Sequence, residues 1–208
     1  MPGGKPTKAD VLSMAEARAM VCYLRDNGDL RGAALVALAS GYGLRVGDAV
    51  SLTWRAVLDD AGGIRATVNF TEEKTGSKRI VHTFPFVGRT LREWADAQGM
   101  PDLDAPIVPV STVTGWRIVK RTAEAMGKRG NISPHSLRKA FCTFAYEQTH
   151  DPVLTCDVTG HPNPANLMAY IGRERQVVED VWTSMMKAER KLEKWHGKKG
   201  AAIATVRA

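Results

Sequence analysis

The chain has 208 residues, of which 44% are hydrophobic, and it carries 29 Lys and Arg against 22 Asp and Glu, a net charge of +7. That length can bury a sizeable core, and one domain is expected, with two small ones as the alternative. The 3 cysteines show no CxxC spacing, the 5 histidines are scattered, and no apolar run approaches the roughly 20 residues of a membrane span. These features argue against a disulfide framework, a zinc cluster and a membrane protein, and they predict a soluble cytoplasmic protein.

The first third of the chain is predicted to be helical. After a flexible segment over residues 1–12, the sequence from Ser13 to Glu16 is a capping-box pattern that starts a helix ending near residue 28. A second helix over 30–42 is rich in Ala and Leu, which favours a buried position. A break at 43–48 separates it from a short third helix, predicted over 49–54.

Arg45 lies in this break, directly after the very apolar second helix. An arginine at such a place either forms an ion pair with a nearby acid, here Asp48, or points from a rigid base towards an anionic ligand. Position alone does not decide between these two interpretations.

Two segments with alternating or β-branched residues, 64–70 and 78–84, predict a β-hairpin. The turn between them contains a glycine and carries Lys74 at its tip. Most lysines at such tips are simply exposed to solvent, and Lys78 and Arg79 are alternatives for any chemical role.

Two further helices are predicted over 87–98 and 114–126, joined by a proline-containing connection.

Basic residues are concentrated around the second of these helices. From Ser111 to Ala140 there is one acid, Glu124, against seven basic residues: Arg117, Lys120, Arg121, Lys128, Arg129, Arg138 and Lys139. This basic stripe is either a solvated helix face or a contact surface for a DNA backbone. The candidate DNA contacts are Arg117, Lys120, Arg121 and Lys139.

The stretch from Ser133 to Gly172 holds most of the residues capable of chemistry. Ser133 and Pro134 suit the start of a helix, on which His135 and Arg138 share one face. A turn at 160–162 contains His161, and Tyr170 follows 9 residues later. Each of these residues alone has an ordinary interpretation, as a solvated face, a turn or a core aromatic. Their joint occurrence is what favours a functional site.

A long helix is predicted over 174–196, followed by a loose basic tail. Its apolar residues form a wide stripe: Val177, Val178, Val181, Trp182, Met185, Met186, Leu192 and Trp195. The stripe either packs on the protein's own core or docks on a neighbouring protomer, and both alternatives remain open.

Taken in chain order, these motifs resemble the catalytic domain of the tyrosine recombinases, the phage integrase family. The motifs are Gly-Leu-Arg45-x-x-Asp48 with Leu52-Thr-Trp, Lys74-Thr-Gly on a hairpin, His135-x-x-Arg138, Gly160-His161 and Tyr170. The resemblance implies an α+β, mainly helical fold with a small antiparallel sheet. It also implies a catalytic domain over 13–182 and a C-terminal helix extension with a basic tail over 183–208.

The chemistry of phosphodiester transfer explains why these residue types occur together. Attack on a phosphodiester adds negative charge to the non-bridging oxygens, which two arginines, Arg45 and Arg138, can hold through charge-assisted bonds. The attacking hydroxyl is a weak nucleophile while protonated, since the reference pKa of tyrosine is about 10.

The family resemblance implies the remaining roles. Tyr170 attacks and forms a 3′-phosphotyrosine link, His135 assists proton removal and contacts the phosphate, and His161 hydrogen-bonds the same phosphate. Lys74 donates a proton to the departing 5′-oxygen. No metal or other cofactor is then required.

Three features depart from the family pattern. Lys139 follows Arg138 where many relatives carry His or Thr, and Pro162 and Pro164 lie between His161 and Tyr170. The family usually carries a separate N-terminal DNA-clamping domain, and nothing like it precedes Ser13. The chain is therefore expected to be either an excised catalytic domain or similar to the small single-domain invertases that switch fimbrial genes.

The expected activity is site-specific recombination of double-stranded DNA, in the setting of integration or excision of a mobile element. The expected assembly is a tetramer on DNA, with the C-terminal helix as the candidate exchanged element. One alternative is a monomeric relaxer of the type IB topoisomerase kind, and another is a DNA-binding accessory protein without turnover. A metal-dependent nuclease would need a carboxylate cluster that the sequence does not offer.

Overall fold

Helices predominate over a small sheet in the computed structural model, which describes residues 9–73, 76, 78–99, 101–171, 182–187 and 189–190. Two units divide the chain, Met1–Ile171 and Gly172–Ala208. The first contains α1 (Met14–Asp26), α2 (Leu30–Gly41), α3 (Val46–Ser51), α4 (Trp54–Val57), β1 (Thr67–Thr71), β2 (Lys78–His82), α5 (Pro85–Ala97), α6 (Thr112–Ala125), α7 (Pro134–Thr149), α8 (Pro152–Thr159) and α9 (Pro164–Ile171). The predicted α+β, mainly helical fold is confirmed.

The predicted capping box starts α1. The Ser13 hydroxyl accepts from the Glu16 backbone N–H at 3.2 Å, and the Glu16 carboxylate accepts from the Ser13 backbone N–H at 2.9 Å. These two bonds satisfy backbone donors that have no partner inside the helix. Lys128 also donates to Glu16 at 2.5 Å, and this bond is the main cause that lowers the pKa of Glu16 to about 2.

Helix α2 forms the centre of the core, as its Ala- and Leu-rich sequence predicts. All its residues from Gly32 to Gly41 are buried, and it packs against α1, α5 and α7. A helix that is apolar on every side can be stable only when other elements surround it. The chain leaves α2 at Tyr42 and turns at Gly43, which has a φ of +64°.

The short helix predicted over 49–54 is instead two helices. Helix α3 begins at Val46, and the backbone becomes extended at Leu52 and Thr53 before α4 starts at Trp54. The reason is a tertiary contact: the Leu52 carbonyl accepts from the Ile107 N–H at 2.8 Å, and Thr53 forms a β-bridge with Pro106. These backbone groups therefore pair with a distant segment and not within a continuous helix.

Strands β1 and β2 form the predicted antiparallel hairpin, with a register from Thr67 opposite His82 to Thr71 opposite Lys78. Val68 and Phe70 of β1 face the core. Glu72 follows at the next inward position of the alternation and has no exposed surface. Lys74, predicted at the hairpin tip, lies outside the described residues.

Helices α7, α8 and α9 complete the first unit. Ser133 is the N-cap of α7 and Pro134 its first residue, as predicted. Helix α8 follows an Asp151 cap, whose carboxylate accepts from two backbone N–H groups, and it ends at Thr159 with Gly160 as its C-cap. Pro164 then starts α9, which carries Tyr170 near its end.

In the second unit, residues 182–187 and 189–190 are helical. Trp182, Met185 and Met186 are exposed there. The other residues of the predicted apolar stripe lie outside the described residues. No helix in the described part of the chain is long and apolar enough to cross a membrane.

Candidate active site

Arg45 and Arg138 meet on one carboxylate, that of Glu72. Arg45 Nη1 donates to Glu72 Oε2 at 2.5 Å, and Arg138 Nη1 donates to Glu72 Oε1 at 3.0 Å. Glu72 is fully buried and Arg138 is 2% exposed, whereas the Arg45 side chain is 27% exposed. A buried carboxylate needs cationic or hydrogen-bonding partners, and two guanidinium groups supply them here.

Backbone carbonyls hold Arg138 from two further directions. Its Nη1 donates to the Gly43 carbonyl at 2.6 Å, and its Nη2 lies 3.4 Å from the Thr159 carbonyl. Arg138 therefore joins α7 to the loop after α2 and to the end of α8. Several partners on different elements leave its guanidinium group little freedom to rotate.

Arg79 is a third buried arginine beside this cluster. Its Nη2 donates to the Tyr42 carbonyl at 2.9 Å and its Nη1 to the Val158 carbonyl at 3.2 Å. Its Nε lies 3.9 Å from Glu72 Oε1. Burial, followed by the nearby positive charge of Arg138, lowers the pKa of Arg79 to about 10. Arg79 thus connects β2 to the ends of α2 and α8, while Lys78 is exposed.

The nearest acidic partner of Arg45 is Glu72 and not Asp48. Asp48 Oδ2 lies 3.9 Å from Arg45 Nη1, and Asp48 Oδ1 accepts from the Glu73 backbone N–H at 3.0 Å. Arg45 also lines an open cavity of about 700 Å³. Arg45 therefore forms an ion pair, more closely with the distant Glu72 than with Asp48. Binding of an anion in the cavity that Arg45 lines stays a prediction.

The cavity lies between the Arg45 loop, the base of the hairpin, α6 and the start of α7. It is lined by Arg45, Val46, Gly47, Asp48, Glu73, Trp116, Ser133, Pro134 and His135. His135 is exposed at this edge. Two of the predicted site residues, Arg45 and His135, therefore border one cavity.

Tyr170 lies beside His161 and His135 in the first unit. The rings of Tyr170 and His161 have centroids 5.2 Å apart, and the Tyr170 hydroxyl donates to the His135 backbone carbonyl at 3.2 Å. Burial raises the pKa of Tyr170 well above its ordinary value. The phenol is therefore protonated at neutral pH, and its proton is held by a backbone oxygen.

The hydrogen bonds around His161 define its neutral tautomer. The Thr159 hydroxyl donates its one proton to the Thr155 carbonyl at 2.8 Å, so it can only accept from His161 Nδ1, 2.8 Å away. Nδ1 therefore carries the proton, and Nε2 has the lone pair. Burial, followed by the charges of Arg138 and Arg45, lowers the pKa of His161 to about 4.

This low pKa of His161 predicts a loss of stability in mild acid. The unfolded chain binds a proton at His161 near pH 6.5, whereas the folded protein resists protonation until pH is about 4. The stabilisation is therefore complete above about pH 6.5 and is lost as pH falls towards 4. In thermal melts, the Tm of wild type should fall between pH 7 and pH 5. The Tm of His161→Gln should fall by less over the same interval.

His82→Gln, at an exposed position of β2, is the matched control for that experiment. An equal drop in Tm for wild type and His161→Gln would contradict the environment described for His161.

Lys139 is buried next to Tyr170. Its ammonium group donates to the Ala9 carbonyl and lies 5.7 Å from the centroid of the Tyr170 ring. The other candidate DNA contacts, Arg117, Lys120 and Arg121, are exposed on α6. Lys120 lies over the ring of Trp116 at 5.1 Å, so the basic side of α6 continues to the cavity that Trp116 lines.

Sequence reasoning missed Glu72, Thr159 and Trp116. For Glu72 a signal exists, because the inward alternation of Val68 and Phe70 continues to position 72, where an acid implies a buried cationic partner. No sequence signal identifies Thr159 or Trp116. Among the described residues, no three His, Cys, Asp or Glu side chains are grouped so that they could hold a metal ion.

Comparison with known proteins finds tyrosine recombinases among the relatives of this chain. The chain is 28% identical over 163 residues to tyrosine recombinase XerD of Corynebacterium glutamicum, covering 74% of this chain and 52% of the relative. It is 28% identical over 180 residues to tyrosine recombinase XerC of Vibrio vulnificus, covering 80% of this chain and 54% of the relative. The chain therefore spans about half the length of these two relatives.

Solved structures share the fold. The crystal structure of XerA recombinase matches with a TM-score of 0.68 at 22% identity, over 87% of this chain and 66% of that one. A lambda integrase dimer bound to a COC′ core site matches with a TM-score of 0.60 at 19% identity, over 84% of this chain and 51% of that one. The family model of the phage integrase family matches residues 10–176. Since this match covers most of the sequence, the chain belongs to the phage integrase family.

Proposed function

We propose that this chain is the catalytic part of a site-specific DNA recombinase, which cleaves and rejoins duplex DNA one strand at a time through a covalent 3′-phosphotyrosine link at Tyr170. The observation that carries the proposal is the pair of arginines, Arg45 and Arg138, joined on one buried carboxylate beside a cavity. The proposed catalytic domain spans 13–182, after a segment over 1–12 and before an extension over 183–208.

The two arginines supply the electrostatic part of the reaction. Negative charge grows on the non-bridging oxygens of the scissile phosphate during attack, and guanidinium groups stabilise it through charge-assisted hydrogen bonds. Because Arg138 is held by Gly43, Glu72 and Thr159, it needs little reorganisation when the charge develops. Arg45, which lines the cavity, meets the phosphate first.

Tyr170 supplies the nucleophile. Its hydroxyl oxygen attacks phosphorus and loses its proton, the bond from phosphorus to the 5′-oxygen breaks, and that oxygen takes up a proton. The hydroxyl must first leave the His135 carbonyl, to which it donates in this structure. Lys74 on the hairpin is the proposed proton donor to the 5′-oxygen, and general acid help of this kind is worth about 10²–10⁴-fold.

The histidines complete the proposed site. His135 borders the cavity and assists removal of the Tyr170 proton. His161 contacts the phosphate through Nε2, which requires a proton on that nitrogen because Nδ1–H is bonded to Thr159. The negative charge of a bound phosphate favours this protonation, since an adjacent anion raises the pKa of a histidine.

The proposed DNA surface is the basic side of α6 together with the cavity. Arg117, Lys120 and Arg121 are exposed there and would contact phosphates, which hold DNA without specifying its sequence. Lys139 is the further candidate contact. Lys139 is buried against Tyr170, so any DNA phosphate that it contacts must lie beside the nucleophile.

The proposed assembly is a tetramer on double-stranded DNA. Among structures with the same fold are a lambda integrase tetramer bound to a Holliday junction and the Tn1549 transposon integrase in complex with a circular intermediate DNA. These likenesses support integration or excision of a mobile element as the setting. We also propose that the protein acts in the cytoplasm of the cell that holds the DNA. Exposed Trp182, Met185 and Met186 support exchange of the C-terminal helix between protomers.

A nicked suicide substrate tests the proposal. Duplexes from the source genome, nicked so that the cleaved piece diffuses away, are incubated with the protein in EDTA and examined on a denaturing gel. Wild type should form a covalent protein–DNA adduct, and Tyr170→Phe should form none, because it lacks the attacking oxygen. Sequencing the captured DNA identifies the recombination site.

Tyr23→Phe is the matched control, since it removes a phenol hydroxyl from α1 and should form the adduct at the wild-type rate. An adduct that persists in Tyr170→Phe would refute the nucleophile assignment. Failure of wild type to form any adduct would refute the proposed activity of this chain.

A further inference from the structure

Glu72 places a carboxylate where its burial costs free energy unless neighbouring cations compensate. It is fully buried, and removing an ionised carboxylate from water costs several kcal/mol before its partners compensate. Its backbone carbonyl accepts from the Gly76 N–H at 2.8 Å, which fixes it at the base of the hairpin. The side chain is therefore an immobile anion at the end of β1.

The two oxygens of this carboxylate contact different arginines. Oε2 accepts from Arg45 and Oε1 from Arg138, so one planar group of fixed size connects the two guanidinium groups. Arg79 lies 3.9 Å from Oε1 and adds a third positive charge. Without the carboxylate, these like charges would repel one another in a poorly solvated place, and Arg45, the most exposed of them, would be free to turn into solvent.

We propose that Glu72 is a positioning residue that sets the separation and orientation of Arg45 and Arg138 for the scissile phosphate. This inference rests on the proposed recombinase function. Glu72 does not contact DNA, because it has no exposed surface. It acts through the arginines, each of which binds Glu72 through Nη1. Arg45 lines the cavity, where its other N–H groups can bind phosphate oxygens, and Arg138 Nη2 keeps a second N–H besides the one that faces the Thr159 carbonyl.

The distinguishing measurement compares a normal scissile phosphate with a methylphosphonate at the same position. A methylphosphonate replaces a charged non-bridging oxygen with a methyl group, and it removes the charge that the arginines stabilise. If Glu72 positions the arginines, its loss should slow adduct formation strongly on the phosphate and only slightly on the methylphosphonate. A general loss of structure would slow cleavage of both substrates by the same factor.

The experiment measures adduct formation on the captured site by wild type, Glu72→Gln and the control Glu93→Gln. Glu93 bonds Arg25 in a bidentate ion pair between α1 and α5, so the control also removes one paired carboxylate. Glu72→Gln should be slower than wild type by about 10²-fold on the phosphate, comparable to the loss of one electrostatic donor. The two proteins should agree within about threefold on the methylphosphonate, and Glu93→Gln should match wild type on both substrates.

Glu72→Asp is a second variant that tests the same inference if Glu72→Gln does not fold. It keeps the charge, but its carboxylate is one methylene shorter and cannot reach both arginines, so we expect about a tenfold loss on the phosphate and none on the methylphosphonate. A folded Glu72 variant with wild-type rates, or one slowed equally on both substrates, would overturn the inference while leaving the recombinase proposal intact. If wild type forms no adduct, the recombinase proposal fails and the inference fails with it.

Discussion

Arg138→Lys is expected to slow adduct formation by about 10³-fold, the upper part of the range for loss of a preorganised donor. Arginine offers five N–H donors in a planar fork, whereas lysine offers one ammonium group. Arg138 uses its fork on Gly43, Glu72 and Thr159, so lysine would leave some of these buried acceptors unsatisfied. The expected cost in the free energy of unfolding is about 1–3 kcal/mol, measured by urea titration beside the cleavage rate.

Arg25→Lys is the matched control for Arg138→Lys. Arg25 is likewise paired with a carboxylate, that of Glu93, which it contacts through two hydrogen bonds between α1 and α5. The Arg25→Lys variant should cleave DNA at the wild-type rate. If Arg138→Lys also cleaves at that rate, Arg138 is not a phosphate-binding group of this protein.

Gly43→Ala is expected to lower the free energy of unfolding by about 3 kcal/mol. Gly43 has a φ of +64°, and a Cβ added there would lie 2.4 Å from Cδ1 of Phe141. The left-handed backbone costs an alanine about 1–2 kcal/mol, and the forced displacement of a packed ring costs about 1–3 kcal/mol. Phe141 and Arg138 are three residues apart on α7, so displacing the ring should also disturb Arg138 and slow cleavage.

Gly99→Ala separates the two parts of this cost. Gly99 has a φ of +69° with nothing within 4 Å of an added Cβ, so its substitution should cost only the backbone part, about 1–2 kcal/mol. Phe141→Leu should relieve part of the clash when combined with Gly43→Ala. Equal losses for Gly43→Ala and Gly99→Ala in urea titrations would show that contact with Phe141 contributes nothing.

Local sequence patterns were sufficient for most of the helices and for the hairpin. The capping box at Ser13, the Ala- and Leu-rich run of α2 and the alternation of β1 each reflect short-range physics that a sequence displays directly. The short helices α3 and α4 were predicted wrongly as one helix, because Leu52 and Thr53 pair with residues 106 and 107. No local pattern reports such a pairing.

The same distinction applies to the candidate site. Arg45, His135, Arg138, His161 and Tyr170 could be chosen because the family resemblance attaches roles to them, and these roles stay predictions. The partner of Arg45 could not be found locally, since Glu72 is 27 residues away. The tautomer of His161 depends on the direction in which one threonine hydroxyl donates, which only three-dimensional coordinates provide.

The burial of α2 has a consequence for how the protein opens. Amides in the most buried elements exchange with solvent only through global unfolding, whereas thinly packed elements exchange through small local openings. The Arg45 loop starts where α2 ends, and α2 is buried from Gly32 to Gly41. Tyr170 is carried by α9, which is packed more thinly, since Leu167 and Ile171 are the buried residues of this helix. Local openings can therefore release the nucleophile while the phosphate-binding arginines stay assembled.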